Sequence, residues 1–309
     1  MKVVFMGTPD FAVPTLEKIY NEGYDIPLVI TQPDRPKGRG KKLSSPPVKI
    51  KAKELGLDVY QPQNVNDKEC ITQLEKISPD VIVVIAYGQI LKEDLLNLPK
   101  YGCVNVHASL LPKYRGAAPI NWVIINGEKK TGITTMYMDK GLDSGDILLK
   151  EGIDIREDET AGELHDRLMY LGADVLVETL RKIENGTLER IPQDHDKATY
   201  APMMDRKLGK IDWEKSAEKI KNLVRGTYPW PGAYTNYKGK KVKIIEVDAI
   251  DQFKEGEPGK VVKVSDEGIY VNAKEGCIVI KRLQFPNKRK MTIRQYLLGN
   301  SFEEDVILQ

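Results

Sequence analysis

The chain has 309 residues, 41% of them hydrophobic and 30% charged, with a formal net charge of +2. It is long enough for one large domain or two ordinary ones and apolar enough for packed cores, which excludes wholesale disorder. No apolar run approaches the roughly 20 residues of a membrane helix. The N-terminus lacks a signal peptide's long apolar core and small-residue cleavage site, and three scattered cysteines (Cys70, Cys103, Cys277) argue against a disulfide scaffold or a zinc cluster. A cytoplasmic protein is expected.

In chain order, apolar runs at 3–6, 26–31, 81–86 and 104–108 predict buried strands, and amphipathic patterns at 11–21, 48–55 and 68–77 predict helices between them. Such alternation implies a mostly parallel sheet covered on both faces, a Rossmann-like α/β domain. Further strands are expected at 132–138 and 146–155, then one long helix over 160–185 with Thr160 at its N-cap and Gly186 as its stop. Residues 189–201 are polar and irregular. Beyond them a helix at 215–226 precedes closely spaced strands at 241–247, 259–265, 268–272 and 276–283, the pattern of a small β-barrel. The domain boundary is therefore placed near 205, giving domains 1–205 and 206–309. The charge divides the same way, with a net −5 over residues 1–205 and +7 over 206–309. A basic C-terminal third fits a polyanion partner, nucleic acid first, although chance segregation of surface charge would look alike.

The stretch from Val104 to Gly116 carries the most chemistry. Alternation along a strand puts Asn105 and His107 on one face, about 7 Å apart, at a strand end where α/β sheets gather functional groups. A single buried histidine is more often structural than catalytic. Its amide neighbour and the glycine-flanked turn Gly141-Leu142-Asp143-Ser144-Gly145-Asp146 shift that balance. A carboxylate orients an imidazole, and an amide donor beside it stabilises a developing oxyanion. Asn, His and Asp together suit acyl transfer without a covalent enzyme intermediate, with Asp143 and Asp146 both available as the carboxylate. Other chemistries have weaker support. Gly7-Thr8-Pro9-Asp10 occupies the place of a dinucleotide loop but lacks G-x-G-x-x-G. His107, His165 and His195 lack metal-ligand spacing, so no metal is expected. Cys103 lies on the histidine's strand, where buried thiols are inert.

The second informative segment is 31–47, a long loop with two glycines, four prolines, the cations Arg35, Lys37, Arg39, Lys41 and Lys42, and one acid, Asp34. A solvated connector would explain it blandly. A phosphate-gripping arm explains the cations and the glycines together.

These segments resemble the methionyl-tRNA formyltransferase family, part of the wider group of 10-formyltetrahydrofolate-using enzymes. The resemblance rests on 5–12, 31–42, Asn105 to Gly116, Gly141 to Ile147 and Trp230-Pro231-Gly232-Ala233. It implies a Rossmann-like formyltransferase domain joined to a C-terminal barrel of the OB type. It implies Asn105, His107 and Asp143 as the catalytic trio, and Ser109, Leu110, Leu111 and Pro112 as the border of the tetrahydrofolate site. The turn 87–91 would hold the pteridine through its backbone. The cations Arg35, Lys37, Arg39, Lys41 and Lys42 would meet the acceptor end of initiator methionyl-tRNA, Arg39 foremost, and the basic barrel would grip the tRNA further away. The expected protein is a monomer that forms formylmethionyl-tRNA for translation initiation and has no membrane partner. The alternatives are a folate-dependent enzyme acting on a nucleotide sugar, on glycinamide ribonucleotide or on water, and a non-catalytic RNA-binding protein on the same scaffold.

Overall fold

Runs of Val, Ile and Phe without polar interruption become strands buried on both faces, as the patterns of β1 (Lys2–Gly7) and β6 (Val81–Ile85) show. The computed structural model describes residues 1–37, 42–251 and 256–309. The remaining strands of the first half are β2 (Asp25–Ile30), β3 (Arg35–Lys37), β4 (Lys42–Ser44), β5 (Val59–Tyr60), β7 (Cys103–His107), β8 (Lys130–Tyr137) and β9 (Ile147–Asp154). Its helices are α1 (Val13–Asn21), α2 (Pro47–Glu54), α3 (Lys68–Ile77), α4 (Glu93–Leu96), α5 (Pro119–Ile125) and α6 (Ala161–Glu184). Thr160 and Glu163 form a reciprocal cap at the start of α6, and Gly186 follows its end with φ +68°.

Two units emerge: Met1–Gly116 with Lys130–Ile153 and His165–Ala201, and Ala117–Lys129 with Asp154–Leu164 and Pro202–Gln309. The first holds a seven-stranded sheet in the order β5-β2-β1-β6-β7-β8-β9. β2, β1, β6 and β7 run parallel, and β8 returns antiparallel to β7. From β1 the chain builds outward to β2 and β5, then crosses back to β6 on the other side. The change in strand order therefore falls between β1 and β6, where their connections diverge and leave a crevice. Thr8, Gln32, Arg35, Ser44, Tyr87 and Gly88 line a cleft there.

Within the expected loop 31–47, the described residues 35–37 and 42–44 form strands. β3 and β4 pair antiparallel as a ribbon, Arg35 opposite Ser44. Its single acid forms the anchor: Asp34 accepts hydrogen bonds from Gln61 and Lys49 at 2.8 Å and from Ser45 at 3.1 Å. Those bonds, Gln61's first, hold its carboxyl down at about 2. The helix expected over 11–21 begins as a 3-10 turn, Asp10–Ala12. β5 and the short helices α4 and α5 were not expected, because two to seven residues carry too little periodicity to register.

The second unit packs α7 (Ala217–Thr227) against a curled antiparallel sheet in the order β10-β11-β14-β13-β12: Tyr234–Tyr237, Lys240–Ile250, Cys277–Gln284, Gly268–Asn272 and Val261–Ser265, with β15 (Met291–Thr292) beside β14. Val242, Ile244, Ile269, Val271, Ile278 and Ile280 supply its core, with Ile220 and Val224 from α7. Register shifts around Glu246 bend β11, as bulges do in small barrels. The helix α8 (Ile293–Leu297) follows, and the last residues close the curl. Asn236 exchanges two backbone hydrogen bonds with Gln309, and Gly259 and Val261 bond Leu308, Val306 and Asp305. The OB-like expectation is met in this form. These closing residues form no regular strand, so they left no mark in the sequence pattern.

Candidate active site

Asn105 and His107 end β7, with Asn105 beside Val84 of β6 and Met136 of β8. Asn105 is half-buried, and its amide has no protein hydrogen-bond partner among the described residues. His107 is 5% exposed. Its Nε2 lies 2.9 Å from the Tyr114 carbonyl oxygen. A carbonyl only accepts, so Nε2 must donate, and the ring exchanges its proton at Nδ1. That nitrogen faces Asp143 Oδ2 at 3.6 Å, just beyond hydrogen-bond reach. The two carboxylates the sequence leaves open are placed differently. Asp143 is turned to the histidine, whereas Asp146 starts the return toward β9 and gives its carbonyl to Tyr137 N–H.

Asp143 sits in the β8–β9 turn with φ +49°, a left-handed conformation that costs a non-glycine residue about 1 kcal/mol. Gly116 N–H donates to its Oδ2 at 2.8 Å. The turn's glycines admit close approach: a Cβ at Gly145 would collide with the Tyr137 carbonyl oxygen. The loop after β7 is equally determined. Thr134 Oγ1 donates to Ser109 O and accepts from Leu111 N–H, and Ser109 Oγ donates to Lys113 O. Of the residues expected to border a folate, Ser109 and Leu111 are buried in this framework, Leu111 against Met136 and Ile147. Leu110 and Pro112 are half-buried, and Leu110 lies over Gly132, where a side chain would displace it. In the 87–91 turn, Thr8 Oγ1 donates to Tyr87 O and Asn66 to Ile90 O. The Ile90 side chain is 85% exposed.

Of the basic ribbon residues, Arg35 is exposed and donates to Gln32 Oε1 at 3.3 Å. Lys37 ends β3 and Lys42 begins β4, and Arg39 and Lys41 lie outside the described residues. Two residues that line the cleft beside the ribbon, Gln32 and Tyr87, carry buried polar atoms, Gln32 Nε2 and Tyr87 Oη, without hydrogen-bond partners among the described residues. No group of three potential metal-ligating side chains occurs among the described residues. No helix there is long and apolar enough to cross a membrane. Burial pushes the Cys103 thiol up to about 12 and the Cys70 and Cys277 thiols up to about 11, which removes their thiolates at neutral pH.

Two residues that sequence reasoning passed over belong to this site. Arg115 and Gln193 are 4% and 6% exposed and hydrogen-bonded to each other. Gln193 comes from the irregular stretch after α6, which straps the site loops together. Ile191 exchanges backbone bonds with Ile147, Arg115 N–H donates to Thr199 O, and Ala201 N–H donates to Arg115 O. The available signal was the length of that stretch, since an unstructured segment in a compact domain must find partners for its backbone.

The sheet and the polar group at its edge define a class. Residues 1–180 match the formyl transferase family and residues 203–301 match the formyl transferase C-terminal domain, so the chain belongs to the formyl transferase family. Its relatives include the methionyl-tRNA formyltransferase of Acetivibrio thermocellus, 54% identical over 309 residues, covering 100% of this chain and 99% of that protein. That of Clostridioides difficile is 53% identical over 308 residues, covering 100% of both. Among solved structures, the N-formyltransferase from Helicobacter canadensis, in complex with folinic acid and dTDP-3-aminofucose, matches with a TM-score of 0.68 at 20% identity, over 93% of this chain and 100% of its own. HypX from Aquifex aeolicus, in complex with tetrahydrofolic acid, matches with a TM-score of 0.64 at 18% identity, over 97% of this chain but 47% of HypX, so the chain spans about half of that protein. These two likenesses concern the fold alone.

Proposed function

We propose that the enzyme transfers the formyl group of 10-formyltetrahydrofolate to the α-amine of methionine on initiator methionyl-tRNA, with Asn105, His107 and Asp143 as the catalytic residues. The observation that carries this reading is the half-buried Asn105 amide, without a hydrogen-bond partner among the described residues, beside a histidine whose Nδ1 faces Asp143. Full-length identity above half to methionyl-tRNA formyltransferases supports the acceptor and disfavours a small-molecule acceptor.

Asn105 donates to the formyl oxygen as the neutral amine attacks and negative charge develops there. His107, held by Tyr114, works from Nδ1 with Asp143: the pair takes the proton of the attacking amine and returns it to the departing folate nitrogen. A C–N bond to methionine forms as the bond to that nitrogen breaks. Both ring nitrogens of His107 face protein groups, so Asn105 supplies the main contact to the oxyanion. Half-buried Leu110 and Pro112 fit the apolar border of the folate, and Ile90 fits a cover for its ring. Arg35 and the other ribbon cations suit the acceptor-strand phosphates, and the cleft between ribbon and sheet suits the end of that strand. We assign catalysis to residues 1–205 and further tRNA contacts to the basic residues 206–309. The trio comes from a single chain, which supports a monomer, and its substrates are those of cytoplasmic translation. The test is formylation of charged initiator tRNA with 10-formyltetrahydrofolate, with elongator methionyl-tRNA, a nucleotide amino-sugar and water as competing acceptors. Faster transfer to any of the three would overturn the assignment.

A further inference from the structure

Asp143 touches no reacting atom unless its turn is held against the β7 loop, and the two loops share few direct bonds. Besides the Asp143 carboxylate itself, which accepts from Gly116 N–H, a second side chain joins them. Gln193 Nε2 donates to the backbone carbonyls of Asp143 at 2.9 Å and Gly145 at 2.7 Å. Its Oε1 accepts from Arg115 Nε at 3.1 Å and Nη2 at 2.6 Å. Arg115 is flanked by Tyr114, whose carbonyl holds His107, and by Gly116, whose N–H holds Asp143. The amide thus grips the carboxylate's turn with one end and the histidine's loop with the other. Its orientation is unambiguous, because a guanidinium only donates and a carbonyl only accepts.

Arg115 makes the arrangement unusual. It is buried, it has no carboxylate within ion-pair distance among the described residues, and its other side-chain contact is His195 Nδ1 at 3.2 Å. A buried cation ordinarily calls for an anion. Here the cation is placed on an amide oxygen, which it polarises, strengthening the donation at the other end of that amide. Cation, amide and turn carbonyls form one chain that ends at the residue facing His107.

We infer that Gln193 is a positioning residue for formyl transfer, fixing Asp143 against His107, with Arg115 orienting its amide. The inference rests on the catalytic trio proposed above. It concerns the approach of two groups whose present separation of 3.6 Å leaves little slack. A misplacement of about 1 Å at such a contact costs on the order of 10²-fold in rate.

The test uses the full chain, 10-formyltetrahydrofolate and charged initiator tRNA. Gln193→Glu keeps the oxygen that Arg115 grips and turns a second oxygen on the two carbonyls. It should lower kcat about 10²-fold while the KM values of both substrates stay within about twofold, with the melting temperature preserved by the new Arg115 ion pair. Arg115→Gln leaves Gln193 in place without its cation and its two charged hydrogen bonds, and should cost about tenfold or more. The decisive measurement is a cycle with Asp143→Asn. If Gln193 acts through Asp143, Gln193→Glu in that background should cost less than about threefold more. An equal loss in both backgrounds, or a loss confined to KM, overturns the inference in favour of a general structural role. Full activity of Asp143→Asn alone overturns the trio itself, an outcome distinct from a Gln193 variant that turns over normally beside a crippled Asp143→Asn.

Discussion

Asn105 and His107 share a strand face, yet their removal should have different consequences. The Asn105 amide has no protein partner among the described residues. Asn105→Ala therefore leaves nothing in the folded protein unsatisfied, and its effect on stability should stay within about 0.5 kcal/mol, or about 2 °C in melting temperature. Its effect on the reaction should be large. Losing one oxyanion donor costs about 10²–10³ in kcat, about 3–4 kcal/mol of transition-state stabilisation. His107→Ala should also stop turnover, but it takes from the buried Tyr114 carbonyl the N–H it accepts at 2.9 Å. That costs about 1–3 kcal/mol and should lower the melting temperature by roughly 3–10 °C. Rapid-quench formylation of charged initiator tRNA at saturating donor, paired with thermal melts of both variants, measures the contrast. A rate for Asn105→Ala within threefold of wild type would refute its oxyanion role. A melting temperature that falls as far as that of His107→Ala would refute the claim that its amide is unengaged.

Three further outcomes are expected. Arg35→Ala should raise the KM for tRNA, reduce the slope of log affinity against log salt by about 1, and leave folate binding intact; equal losses for both substrates would contradict the ribbon's role. Asp34 has a folded pKa of about 2, below the unfolded value of about 3.9. The stabilisation it lends the ribbon's base is therefore complete above pH about 4 and lost as pH falls toward 2; a carboxyl titration by NMR with its midpoint near 4 would remove the anchor. Finally, with Cys70 and Cys277 thiols near 11 and Cys103 near 12, native protein at pH 8 should react with a thiol reagent far more slowly than unfolded protein, with activity retained. Rapid inactivation would reopen a cysteine's part in the reaction.

The sequence by itself determined the parallel sheet, through uninterrupted apolar runs separated by amphipathic ones, and the position of Asn105 and His107 at a strand end. It paired Asn105 with His107, because alternation along a strand is a local property that needs no knowledge of neighbours. Tertiary structure alone decided the rest. Asp143 and Asp146 are equivalent by spacing, and only a left-handed turn held by Gly116 aims the first at the histidine. A five-cation loop reads as coil until Asp34 finds Lys49 and Gln61 and its arms pair as a ribbon. The barrel's closing segment has no strand pattern, because a few separate backbone bonds and the buried Leu308 side chain, not a regular ladder, make the seal. Arg115 and Gln193 look like solvent-facing residues in one dimension, yet both are buried. They meet because the stretch after α6 must satisfy its backbone against two loops that lie far apart in the chain, a demand that exists only once the chain has folded.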